Sequence, residues 1–136
     1  MKKFLTLSLF CICLSSCKKQ VQQIQEDLVI MAMTSGQWKM TSFFNNGTDL
    51  TTDFSTYRFK YNSNYTVDAI RSGVLEQSGT WNGSGSTMTI SANFPSASNP
   101  IVRINGNWNI TRNGWNYVEA SQSLNGDQKT LRLDKE

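Results

Sequence analysis

Very few residues of this 136-residue chain are equipped for chemistry. It contains no histidine, which removes the commonest general base, nucleophile activator and metal ligand. Its three cysteines fall at 11, 13 and 17, all near the N-terminus. The carboxylates are scattered. Asp49 and Asp53 share one loop and are the nearest approach to a hard-cation site, although two loop acids four residues apart are ordinarily just solvated. Glu76 and Glu119 lie within predicted strands, where facing water and pairing across a barrel are both open. The chain has no Gly-rich phosphate loop, Ser nucleophile elbow or metal-spaced cluster. Gly83-Ser84-Gly85 reads as a hairpin tip, because no helix follows it to complete a phosphate cradle. These residues imply no enzyme, no metal and no cofactor.

Cys17 is the exception. Met1-Lys2-Lys3 is a short positive segment, and Phe4 to Leu14 is an apolar run broken only by Thr6 and Ser8. That run is too short for a bilayer span, which takes roughly 20 residues, and has the order of a secretory signal. It ends in Leu14-Ser15-Ser16-Cys17, with small side chains before the cysteine and polar Lys18-Lys19-Gln20 directly after. This is the pattern of a lipoprotein signal peptide over 1–16, cut before Cys17, whose thiol then carries diacylglycerol. With Cys11 and Cys13 removed, Cys17 is the one cysteine left, so no disulfide staples the fold. A multiply acylated Cys17, carrying chains such as palmitate, is a lasting membrane anchor, whereas one chain holds only marginally. Lys18 is not the acidic residue of inner-membrane retention signals, and no acidic run of the surface-export kind follows. The expected location is the outer membrane, on its periplasmic face.

Loss of Lys2 and Lys3 takes the formal charge from +3 to about +1. Beyond Lys18-Lys19 the cations from Lys39 to Arg132 are scattered singly, with no clustered basic face for nucleic acid. Residues 17–32 read as a lipidated tether, Gln-rich and polar to about Glu26. A short helix over roughly 24–34 overlaps its end, with Ile24, Leu28, Met31 and Ala32 at helical spacing, to plug or flank the domain.

From 33 to 136 the pattern is β, one domain and a monomer. Turn signals such as Asn45-Asn46-Gly47, Asn82-Gly83-Ser84-Gly85, Asn113-Gly114 and Asn125-Gly126-Asp127 divide it into about eight strands. These are expected near 36–44, 54–61, 65–71, 74–81, 86–92, 101–111, 115–123 and 129–134. Each alternates apolar with polar residues. Tyr57, Phe59 and Tyr61 oppose Arg58 and Lys60; Val102, Ile104, Gly106, Trp108 and Ile110 form the longest run. One buried face per strand and short connections throughout predict an all-β, up-and-down antiparallel barrel. A two-sheet sandwich would use the same alternation with longer crossing loops, for which only 45–53 and 93–100 are candidates.

Gly36-Gln37-Trp38, opening the first strand after a helical segment, resembles the Gly-x-Trp motif of lipocalins. Tyr57-Arg58-Phe59, Tyr65-Thr66-Val67, Gly79-Thr80-Trp81 and the final Leu131-Arg132-Leu133 resemble the small lipocalin-like domains of Bacteroidetes lipoproteins. The resemblance covers roughly 33–136. It implies structural roles for Gly36 and Trp38, with Arg132 stacked over the Trp38 ring as a late arginine does in lipocalins. It also implies an interior holding a small hydrophobic ligand, and Tyr57, Phe59, Trp81 and Trp108 are the expected lining. The aromatics have a second reading: an eight-stranded barrel is just wide enough for its own side chains to fill it. The protein is then an interaction or structural module acting through its loops on a protein or glycan. A cavity of several hundred cubic ångströms separates the two.

Overall fold

The computed structural model describes residues 13–136, so most of the expected signal peptide, residues 1–12, lies outside the described residues. Helix α1 (Cys13–Thr34) leads into nine strands: β1 (Trp38–Asn45), β2 (Thr48–Asp49), β3 (Tyr57–Tyr61), β4 (Thr66–Arg71), β5 (Val74–Ser84), β6 (Thr89–Asn93), β7 (Gly106–Asn113), β8 (Tyr117–Leu124) and β9 (Asp127–Lys135). All pairings are antiparallel. β1 and β3 to β9 follow one another in sequence order, and β9 pairs back onto β1. Eight strands therefore close a barrel, and the two-residue β2 is an extra arm on β1. Closure removes every sheet edge but that short arm.

Up-and-down connection gives the barrel two distinct ends. The helix end carries the exit of α1, the turns at 62–65, 85–88 and 114–116, and the C-terminus. The loop end carries the long connections 46–56 and 94–105 and the tight turns at 72–73 and 125–126.

Alternation places most inner residues as expected: Trp38, Met40, Tyr57, Phe59, Tyr61, Val67, Ala69, Trp81, Ile90, Ala92, Trp108, Leu131 and Leu133 are all buried. Three local departures break it. In β1 a bulge between Met40 and Ser42 inserts one residue, so the inner set runs Trp38, Met40, Phe43. At 101–104 the expected strand start is a single 3-10 turn after Pro100. Its three-residue period buries Ile101 and Ile104 and leaves Val102 exposed. Tyr65, Leu75 and Met88, each expected inside, are exposed where strands meet their turns.

The N-terminal segment also departs from expectation. Residues 18–26, expected as a flexible tether, belong to α1. Gln, Lys and Glu propagate a helix about as well as Leu. Its orientation is inverted as well: Val29, Ile30 and Met33 pack against the barrel, while Ile24, Leu28 and Met31 face outward.

Candidate functional site

The Gly-x-Trp segment joins helix to barrel. Gly36 has φ +86, the left-handed conformation that ends many helices and that a side chain disfavours. A Cβ there would also lie 3.0 Å from the Glu136 carbonyl oxygen, because the chain's end runs alongside. The Glu136 amide donates to the Gln37 carbonyl at 2.9 Å. Trp38 is fully buried, and its indole N–H donates to the Met33 carbonyl at 2.9 Å, tying α1 to the barrel floor.

The cation over Trp38 is Lys135, not the expected Arg132. Lys135 Nζ lies 5.0 Å from the Trp38 ring centre and 4.6 Å from that of Trp115. The strand register is the reason: Trp38 pairs directly with Lys135, whereas Arg132 sits level with Ser42 on the outer face. There Arg132 Nη1 donates to Glu119 at 2.8 Å, its Nε donates to Asp134 at 2.8 Å, and its guanidinium covers the Tyr117 ring at 4.7 Å. Arg132 donation holds the Asp134 carboxyl below its usual range and is opposed by partial burial. Asp134 also accepts from the Thr41 hydroxyl, so this network clasps β1, β8 and β9 from outside.

Among the described residues, the space left open inside the barrel between Phe59 and Trp108 is small. The central void amounts to about 20 Å³ and is lined by Met40, Phe59, Tyr61, Ile90, Trp108 and Leu131 among others. That is room for one or two water-sized spheres, far below the roughly 300 Å³ at which small-molecule pockets begin. Of the four expected lining residues, all are buried, but only Phe59 and Trp108 reach this void. Trp81 turns toward the helix end, edge-on to Tyr61 at 5.3 Å, and its indole N–H donates to the Asn62 carbonyl at 2.9 Å. Tyr57 stacks on Phe59 at 6.4 Å and lies under the Arg71 guanidinium at 5.6 Å. Burial first, then hydrogen bonding to Glu76, pushes its hydroxyl above its usual range. Burial alone pushes up the Tyr61 hydroxyl.

Both ends of the barrel are stoppered. At the helix end Val29, Ile30 and Met33 cover the opening, with Val29 against the backbone of Gly83. At the loop end Phe54, from the 3-10 turn Thr51–Phe54, meets Phe43 at 4.9 Å. Phe94, Ile101 and Ile104 enter from the opposite loop and are likewise buried. Asn105 closes that loop on itself: its Oδ1 accepts from the Phe94 amide at 2.7 Å and its Nδ2 donates to the Phe94 carbonyl at 3.1 Å. The buried Gln122 amide donates to the carbonyls of Asn105 and Asn107, each at 3.1 Å. A 2.6 Å ion pair between Arg103 and Asp53 links the two loops. The sequence signal for these stoppers is an apolar residue isolated in a polar connection, Phe54 after Thr51-Thr52-Asp53 and Phe94 before Pro95-Ser96.

The carboxylates considered from sequence go to separate partners. Asp49 accepts from the Thr51 hydroxyl at 2.6 Å and amide at 2.9 Å, and these bonds hold its carboxyl below the usual range. Asp53 pairs with Arg103, Glu76 lies 3.5 Å from Arg71, and Glu119 joins Arg132. Among the described residues, no three acidic or cysteine side chains converge as metal ligands do. On the outer wall β5, β6 and β7 form an open trough of about 340 Å³, floored by neutral Thr80, Asn82, Ser91, Asn93 and Asn107. Cys17 is exposed on α1.

No family model and no curated protein matches the chain. Among solved structures, it is similar to the crystal structure of a DUF4847 family protein from Bacteroides vulgatus. The TM-score is 0.56 at 14% identity, covering 78% of this chain and 96% of that one. At that identity the likeness shows the fold: a closed antiparallel barrel of the kind found in a Bacteroides protein. It does not single out the lipocalins.

Proposed function

We propose that this protein is a lipid-anchored envelope module whose barrel is solid and whose work is done by contact with a partner protein at the loop end. The observation that carries this reading is the stoppered interior. Among the described residues, the void of about 20 Å³ between Phe59 and Trp108 supports it, being far smaller than a hydrophobic cargo would occupy. Phe54, Phe94, Ile101 and Ile104 fill the loop end of the closed barrel, where a ligand would otherwise enter. The anchor is Cys17, on the sequence pattern before it, with the outer membrane's periplasmic face as its location. Exposed apolar side chains occur at both ends, Tyr65, Met88 and Trp115 at the helix end and the larger set, Val74, Leu75, Val102 and Leu124, at the loop end, opposite the helix that leads from Cys17. Apolar groups exposed in that way suit a protein surface better than water.

Titration of the folded chain with fatty acids and other lipophiles, followed by intrinsic tryptophan emission, tests the reading. Trp38, Trp81 and Trp108 are buried around the core and would report any entry. The expected result is no saturable change across the panel. Saturable quenching or a blue shift with any lipophile would replace the contact reading with that of a carrier.

A further inference from the structure

Helix α1 has two apolar faces, and only one has a partner within the chain. Val29, Ile30 and Met33 are docked on the barrel. Ile24, Leu28 and Met31 are 59%, 52% and 57% exposed. With about 100° of rotation per residue, these three fall within about 40° of the direction in which Cys17 points. The docked residues lie on the opposite side. Cys17 is itself exposed, and the helix runs unbroken from it to Thr34. The acylation position and the apolar stripe therefore share one face of one rod, the stripe ending about 21 Å from Cys17 at about 1.5 Å per residue.

We propose that this stripe lies in the membrane interface, so that α1 rests flat on the bilayer with the barrel on its far side. The inference rests on the reading of Cys17 as the acylated residue. Acyl chains at Cys17 fix the start of the rod at the lipid surface, and their direction from the helix is the direction of Ile24, Leu28 and Met31. The helix is not long and apolar enough to cross a membrane. With its second apolar face already docked on the barrel, the helix presents the Ile24, Leu28 and Met31 stripe between polar flanks, an arrangement that lies in the interface plane. Seating it there leaves the barrel's docked side undisturbed and directs the loop end away from the lipid. A second copy covering the stripe would bring two sets of acyl chains against one another, with no bilayer needed; the bilayer already present at Cys17 is the occupant that continuity favours.

The test uses the full acylated protein in vesicles of phosphatidylethanolamine and phosphatidylglycerol. Acylation consumes the Cys17 thiol, so Leu28→Cys, Met31→Cys and, at the loop end, Ser96→Cys each accept one environment-sensitive fluorophore. All three positions are exposed, so labelling leaves the packing intact. Vesicle flotation reports the anchor; quenching by aqueous iodide and by nitroxide-bearing lipid reports the stripe. The expected result is flotation of every variant, with iodide quenching at 28 and 31 reduced about fivefold or more relative to 96, and strong lipid-borne quenching at 28 and 31 alone. Flotation with 28 and 31 still open to iodide overturns the inference and leaves the anchor standing. Shielding without lipid-borne quenching assigns the stripe to another protein surface and overturns it too. Failure to float removes the anchor and the inference with it.

Discussion

Replacing Trp108 with alanine lowers the unfolding free energy by about 3–5 kcal/mol, the range for emptying a large buried aromatic site. Trp108 is buried at the barrel centre, edge-on to Phe43 at 6.2 Å, and borders the small void directly. Its indole N–H also satisfies the Ile104 carbonyl at 2.8 Å, so the substitution leaves an acceptor of the loop-end stopper without its partner. A domain of this size has about 5–15 kcal/mol in total, so the variant keeps a fold with little margin. Urea unfolding followed by circular dichroism measures the loss. A second readout is specific to a filled barrel. The vacated volume joins the existing void, and an apolar cavity of roughly 150 Å³ takes up benzene-sized molecules. The variant should bind such probes where the parent does not; equal behaviour of the two would mean that the interior was already open or that it collapses.

The second large effect is at Gly79. Its missing side chain points at the place where β6 leaves the barrel for the loop-end stopper. A Cβ there would press well inside contact distance of the Asn93 carbonyl oxygen and 2.9 Å from Phe94 Cδ1. Both obstacles belong to the same segment, so the glycine is what lets Phe94 seat. Gly79→Val therefore costs about 1–3 kcal/mol by overpacking, and relief comes by expelling Phe94. Chemical denaturation measures the first effect. Increased binding of an apolar dye to the native variant, through the unplugged end, measures the second. A variant as stable as the parent and silent to the dye would contradict the role given to Phe94.

The sequence exposes the barrel wherever its period of two is uninterrupted. Tyr57-Arg58-Phe59-Lys60-Tyr61 is such a stretch, and its three aromatics are all buried as the alternation requires. The pattern fails where backbone geometry changes the count. One extra residue in β1 brings Phe43 inside, and a single 3-10 turn at Ile101–Ile104 replaces alternation with a spacing of three. Neither leaves a mark in composition. On α1 the failure is of another kind: two apolar stripes of similar strength occupy opposite faces, and periodicity cannot say which one meets the barrel. The candidate site was legible as a set of inward aromatics, with a filled barrel and a lined cavity both open. Whether Phe59 and Trp108 border a pocket or close it depends on Phe54 and Phe94, which come from loops that look polar. The cation over Trp38 depends on strand register, and the register places Lys135 there rather than Arg132.

In the arrangement proposed above, anchor, helix and barrel share one orientation, with lipid at Cys17, α1 beneath the helix end, and the two linked loops at the free end. The claim on which the proposed contact function rests is that the barrel holds nothing but its own side chains. Native mass spectrometry of the acylated protein, extracted from its own membrane in mild detergent, tests that claim most directly. One species is expected, the acylated chain alone, with no small molecule released when the protein is unfolded in the gas phase. A bound small-molecule mass that survives gentle ionisation and departs on unfolding would contradict it.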